Sequence, residues 1–218
     1  MHTTEDTLNY CRQRYLDRAY IQSKCKIEWD TIIIPLYSFT WQMGWQERYT
    51  NPSLHWWVKS KTIYWSSWIY FLNGWDREKK ILIVEWEIDF LSIIPYATSY
   101  NLIWLKWVNN LPHAIKDIEK LQKVYDVYIL VDNDMPAEET IARIPYTELH
   151  LYDVRDALNW YKDVNDAICN NALNLDCIPH RIYKQKPRPK TNKHRLLTEY
   201  TLDQINEISC LSCPPAIG

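Results

Sequence analysis

Two apolar runs in this chain each end in carboxylates. Residues 81–84 (ILIV) lead into Glu85, followed by Trp86, Glu87, Ile88 and Asp89, and residues 127–131 (VYILV) lead into Asp132 and Asp134. Short, unbroken runs of branched aliphatic residues read as strands buried on both faces, the kind a parallel sheet uses. Acids just past the carboxyl ends of such strands meet where open α/β sheets bind ligands. The Asp132–Asp134 spacing puts both side chains on one side of an extended segment. Hard oxygen donors from separate strand ends suit Mg²⁺, or Mn²⁺, which keeps several waters and shares substrate phosphates. The chemistry to expect is therefore transfer or hydrolysis of a phosphoryl or nucleotidyl group. A third acidic segment, KDVND at 162–166, adds Lys162, Asp163 and Asp166. Acids behind strands also serve as helix N-caps; for Asp134, just ahead of Met135-Pro136, capping and metal binding are compatible.

The elements that would position these acids alternate. Strand 80–85, helix 87–95, strand 101–105, helix 110–124, strand 126–131, helix 136–143, strand 147–151 and helix 164–171 follow one another with short links, which argues a parallel sheet covered by helices. Upstream, residues 5–20 have an amphipathic pattern, TIIIPLYSF (31–39) reads as a strand stopped near Pro35, and 41–48 as its hairpin return. Residues 1–78 thus form a small α+β subdomain and 79–178 an α/β domain. Residues 179–218 are a basic, proline-containing linker and a tail that holds one short helix (198–208).

Composition narrows the possibilities. The chain has 218 residues, 47% of them apolar and 24% charged, so it can bury a real core. Net charge is −2, so any nucleic-acid contact must come from a local basic patch. There is no apolar run of transmembrane length and no signal-like start, so a cytoplasmic protein without membrane association is expected. Cys210 and Cys213 have CxxC spacing but no partner pair, and the six cysteines read as reduced thiols.

The three acidic motifs, in this order, resemble a Toprim domain, the catalytic module of bacterial-type primases, topoisomerases and some nucleases. VEWE with Glu85 is similar to the family's glutamate after a hydrophobic strand, and VDND to its DxD. YKDVNDAI resembles the lysine–aspartate motif of phage- and plasmid-type primases. The upstream IIIPLYSFTWQMGWQER is similar to the primase segment that precedes Toprim. The resemblance spans roughly residues 10–171 and implies a Toprim-like parallel sheet flanked by helices, preceded by a primase-type α+β subdomain. It further implies a primase that makes short RNA primers on single-stranded DNA from nucleoside triphosphates. Glu85, Asp132, Asp134 and Asp163 would be catalytic, with Glu85, Asp132, Asp134 and Asp166 facing the metal. Arg48, Lys59, Lys61 and Lys162 would contact nucleotide or template, although a solvated face also accounts for such lysines. TLDQINEI followed by PPAIG resembles the lead-in to a replicative helicase, fused or separate, but no GxxxxGK[ST] is present. The competing readings are a Toprim nuclease using the same acids, and an inactive Toprim relic that binds DNA or a helicase.

Two counts stand out: 3 glycines and 12 tryptophans, where average usage predicts roughly 15 glycines. Trp86 stands where the resembled family has glycine. Trp41, Trp107, Trp160, Trp104, Trp65 and Trp68 also occupy places that read naturally as glycine, whereas Trp45 and Trp75 adjoin retained glycines. Some uncultured bacterial lineages read UGA as glycine, and a mistranslated UGA would print as tryptophan. The alternative is a tryptophan-rich surface that stacks bases.

Overall fold

The computed structural model describes residues 4–37, 42–63, 70–71, 80–120 and 126–184. Trp41, Trp65, Trp68, Trp75, the expected tail helix 198–208 and the Cys210/Cys213 pair lie outside them. Residues 1–185 form one compact unit.

Among the described residues, ten strands build one sheet: β1 (Lys26–Glu28), β2 (Thr31–Tyr37), β3 (Gln42–Tyr49), β4 (Ser60–Ile63), β5 (Tyr70–Phe71), β6 (Lys80–Val84), β7 (Tyr100–Trp104), β8 (Asp126–Leu130), β9 (His150–Asp153) and β10 (His180–Ile182). Their order is β10-β9-β8-β6-β7-β5-β2-β3-β4, with β1 paired to β2. The four strands β9-β8-β6-β7 are parallel, and the β2-β3-β4 portion is an antiparallel meander. Two-residue β5 joins the parts, pairing antiparallel with both β2 and β7.

Among the described residues six α-helices accompany the sheet: α1 (Thr4–Gln13), α2 (Arg18–Lys24), α3 (Glu87–Ile93), α4 (Leu111–Glu119), α5 (Met135–Arg143) and α6 (Val164–Cys169). Because strand side chains alternate between faces, ILIV feeds two cores. Leu82 and Val84 pack with α3, α6 and the α1–α2 segment, while Ile81 and Ile83 pack with α4 and α5. All four are at most 1% exposed, and each such burial contributes roughly 1.5–3 kcal/mol. The α/β class expected from the alternation is what the structure has.

Several local expectations differ from the structure. The 5–20 pattern is two helices: the chain turns at Tyr15 (φ 52°), and Asp17 caps α2 by accepting from the Tyr20 amide. β2 does not stop at Pro35. Its β1 neighbour reaches only Ile33 and its β5 neighbour only Tyr37, so on that side no partner needs the amide proline lacks. Residues 180–182, read as linker, add β10 to the open side of β9.

Eight non-glycine residues among those described have positive φ, and four of them are tryptophans: Trp29 (49°), Trp56 (53°), Trp57 (64°) and Trp160 (79°). All four are exposed. Trp104 is the opposite case. It sits in β7 at 1% exposure and packs edge-on against Phe90 at 5.2 Å.

Candidate active site

The chain runs from β6 through α3 to β7, then crosses back over β6 to β8. The winding therefore reverses between β6 and β8, and that switch point is where open α/β sheets form their ligand crevice. Glu85 follows β6 and Asp132 follows β8, so topology places both acids at this crevice. Both are buried, at 6% and 4% exposure. Glu85 Oε1 accepts from the Val108 amide at 3.3 Å, while its Oε2 is buried without a hydrogen-bond partner. Asp134 caps α5, accepting from the Ala137 amide at 3.1 Å. Asp163 caps α6 in the same manner, accepting from the Asp166 amide at 2.8 Å. Capping leaves the second carboxylate oxygen of each available.

Crowding acids into a dry crevice works against their ionisation. Burial, followed by repulsion from Asp132, lifts the Glu85 carboxyl to about 7. Burial, then Asp163, lifts Asp132 to about 6, against the opposing pull of Lys162. Burial also raises Asp163 and, well above the usual range, Asp89. Lys162 answers this charge: its Nζ lies 3.6 Å from Asp132 Oδ2 and 4.0 Å from Asp134 Oδ2. The Asn133 amide, donating to the Lys162 carbonyl at 2.6 Å, ties the two acidic loops together.

A cavity of about 560 Å³ opens beside these acids, within the range of small-molecule sites. Asp89, Asp132 and Asp163 line it together with the cations Arg14, Arg48, Lys59, Lys106 and Lys162. The meander thus brings Arg48 and Lys59 to the acids. Arg48 is already engaged: Nη1 donates to Glu87 at 3.0 Å and Nη2 to the Tyr10 hydroxyl at 3.2 Å. Lys61 is not part of the lining, because its neighbour Ser60 faces the cavity and alternate strand residues face away. Glu85, Asp134 and Asp166 are also absent from the lining, and the Asp166 carboxylate lies 3.7 Å from Arg14.

Asp89, Asn165, Arg14 and Lys106 escaped the sequence reading. The Asn165 amide donates to Asp89 at 2.9 Å, its side-chain amide donates to the Arg14 carbonyl at 2.6 Å, and Arg14 donates back to its side-chain oxygen at 3.0 Å. The available signal was Asp89 itself, an acid set among the apolar residues Ile88, Phe90 and Leu91.

Among the described residues no three acidic, histidine or cysteine side chains form a ready metal cage. The donors nevertheless fit a Mg²⁺ site that water and phosphate complete. They are carboxylate oxygens only, one is buried and unpartnered, and neighbouring acids repel one another in the absence of a cation.

A parallel sheet covered by helices, with an antiparallel meander beside it, is a fold similar to that of solved bacteriophage primase structures. The chain superposes on the primase fragment of the bacteriophage T7 primase-helicase protein with a TM-score of 0.58 at 14% identity, covering 74% of this chain and 69% of that one. A second match comes from a complex of the bacteriophage T7 lagging-strand DNA polymerase with primase domains bound to an RNA/DNA hybrid and dTTP. There the TM-score is 0.56 at 15% identity, over 73% of this chain and 84% of that one. No known family profile matches the sequence, and no curated protein does. Among the described residues no helix is long and apolar enough to cross a membrane.

Proposed function

We propose that this chain is a Toprim-type primase that joins ribonucleotides into short primers on single-stranded DNA. The observation that carries this reading is the placing of Glu85 and Asp132 at adjacent strand ends, where Asp132, Asp89 and Asp163 line a cavity shared with five cations, in a primase-like fold. Mg²⁺, when bound, would supply the charge that stabilises the attacking and leaving oxygens of nucleotidyl transfer. Glu85, Asp132 and Asp134 would hold it, with Asp163 beside them. Lys162 places a positive charge beside Asp132 and Asp134. Lys59 faces the cavity as an exposed ammonium suited to template or triphosphate. The partners this implies are single-stranded DNA, nucleoside triphosphates and a replicative helicase. The T7 fragment in the comparison comes from a primase-helicase protein.

The proposal includes glycine at several positions printed as tryptophan. Positive φ at Trp29, Trp56, Trp57 and Trp160 supports it, because a side chain in the left-handed region costs about 1–2 kcal/mol where glycine costs nothing. At Trp86 (φ −109°) and Trp107 (φ −149°) the backbone makes no such demand, and the support there is steric. Their rings meet edge to face at 5.0 Å on the cavity wall. That same pair favours the second reading, a closed site that binds nucleic acid without catalysis, if both tryptophans are translated as printed.

Incubation with Mg²⁺, ribonucleotides and single-stranded DNA tests the reading. Template-dependent ribo-oligomers support a primase. Nicking of DNA without nucleotides identifies a nuclease, and binding without either product identifies the closed site.

A further inference from the structure

We propose that Lys106 binds the phosphates of a nucleoside triphosphate in this cavity; the proposal rests on the nucleotide-handling reading above and adds a residue to it. Lys106 belongs to the loop that leaves β7 (residues 105–108), and that loop is fastened on both sides of it. The Leu105 amide donates to the Val84 carbonyl at 3.0 Å, and the Val108 amide to Glu85 at 3.3 Å. One backbone bond and one bond to the Glu85 carboxylate therefore hold the loop that carries Lys106 beside Glu85.

Its own backbone is in the left-handed region, φ 66°. Glycine or asparagine adopts that conformation readily, whereas a lysine is uncommon there. Strain of this kind persists where the surroundings enforce it, often at binding sites. The side chain reaches from the parallel sheet to the meander and donates to the Thr62 hydroxyl, which in turn donates to the buried Gln46 at 2.6 Å.

Of the other cavity cations, Lys59 is exposed to solvent, and the remaining three have acidic partners or neighbours. Arg48 is committed to Glu87, Lys162 faces Asp132 and Asp134, and Arg14 is held by Asn165 and lies 3.7 Å from Asp166. Lys106 is half-buried, lines the cavity, and donates to a neutral hydroxyl. Glu87 is the acid its charge senses, and Arg48 already occupies that carboxylate. Burial pushes the Lys106 pKa down, the mark of an ammonium short of counter-charge. A phosphate oxygen would supply that charge and could displace the hydroxyl at little cost. The cavity, about 560 Å³, matches one nucleotide rather than a duplex.

The test is binding of sodium tripolyphosphate, of ATP with Mg²⁺ and of a short oligodeoxythymidine to the full chain, with thermal melting recorded in parallel. Lys106→Asn removes the charge but suits the left-handed turn. It is expected to weaken tripolyphosphate and ATP binding about 10- to 100-fold while leaving the melting temperature unchanged or higher. Lys106→Arg is expected to retain most of the binding. The proposal is overturned if Lys106→Asn binds both ligands like wild type, or if only oligodeoxythymidine binding falls. It is equally overturned if melting temperature and binding fall together without rescue by Lys106→Arg, or if wild type binds no tripolyphosphate. Lys106-dependent triphosphate binding in a protein that makes no primers would sink the polymerising reaction and leave this residue's role standing.

Discussion

Arg48 Nη1 lies 3.0 Å from Glu87 Oε1, and this pair joins β3 of the meander to the first turn of α3, directly behind Glu85. Glu87 is fully buried, and the Arg48 side chain is only 16% exposed. Removing one member of such a pair strands a buried charge, which costs about 3–5 kcal/mol. Arg48→Met is therefore expected to lower unfolding stability by roughly 3 kcal/mol in a urea titration. Arg48→Met combined with Glu87→Met should recover most of that loss. A single variant as stable as wild type would show that Arg48 serves substrate alone.

Glu85 gives a pH signature. Burial lifts its carboxyl from the ordinary 4.5 to about 7, so the folded state holds the proton more tightly than the unfolded chain does. The Glu85 contribution to metal-free stability is then most favourable below the unfolded pKa and declines as pH rises through about 7. Glu85→Gln should stabilise the metal-free protein at pH 8 by on the order of 1–3 kcal/mol and have little effect at pH 4. Melting curves at both pH values read the difference. An equal effect at the two would contradict the burial of charge.

Tryptophan positions separate by backbone. Trp160→Gly and Trp29→Gly, in exposed left-handed turns, are expected to hold or raise stability by up to about 1 kcal/mol. Trp104→Gly empties a fully buried site and should cost about 3–5 kcal/mol or more. Chemical denaturation of the three variants checks this. Peptide mass spectrometry of the native protein reports directly which residue each codon specifies, and tryptophan at 29, 56, 57 and 160 would end the glycine reading there.

The legible parts of this molecule were those written locally. Unbroken runs such as ILIV and VYILV marked strands buried on both faces, and the acids behind them marked the crevice. Lys106, Asn165 and Arg14 gave no such signal, because each gains its place only when distant segments close on it. Arg14 and Asn165 are far apart in sequence, and Lys106 reaches a strand of the meander that precedes it by more than 40 residues. Pro35 misled for a related reason: whether a proline ends a strand depends on which side its neighbours pair, and that is set by the register of β1 and β5. Arg48 lines the cavity, but its buried partner Glu87 lay hidden inside the motif that also holds Glu85.

Lys162 offers a functional prediction with little structural risk, its side chain being 63% exposed. Lys162→Met should leave the fold intact while lowering primer synthesis about 10- to 100-fold through loss of a charge-assisted contact. Steady-state rates at saturating nucleotide check this, and an unchanged rate would confine Lys162 to the surface.

The central claim is that the acids of the β6–β8 crevice perform nucleotide joining. Primer synthesis on single-stranded DNA, with ribonucleotides and Mg²⁺, tests it in a Trp86→Gly protein with and without Glu85→Gln. Ribo-oligomers from the first and none from the second are the predicted result. Primers from neither, or primers that persist when Glu85 is replaced, would contradict it.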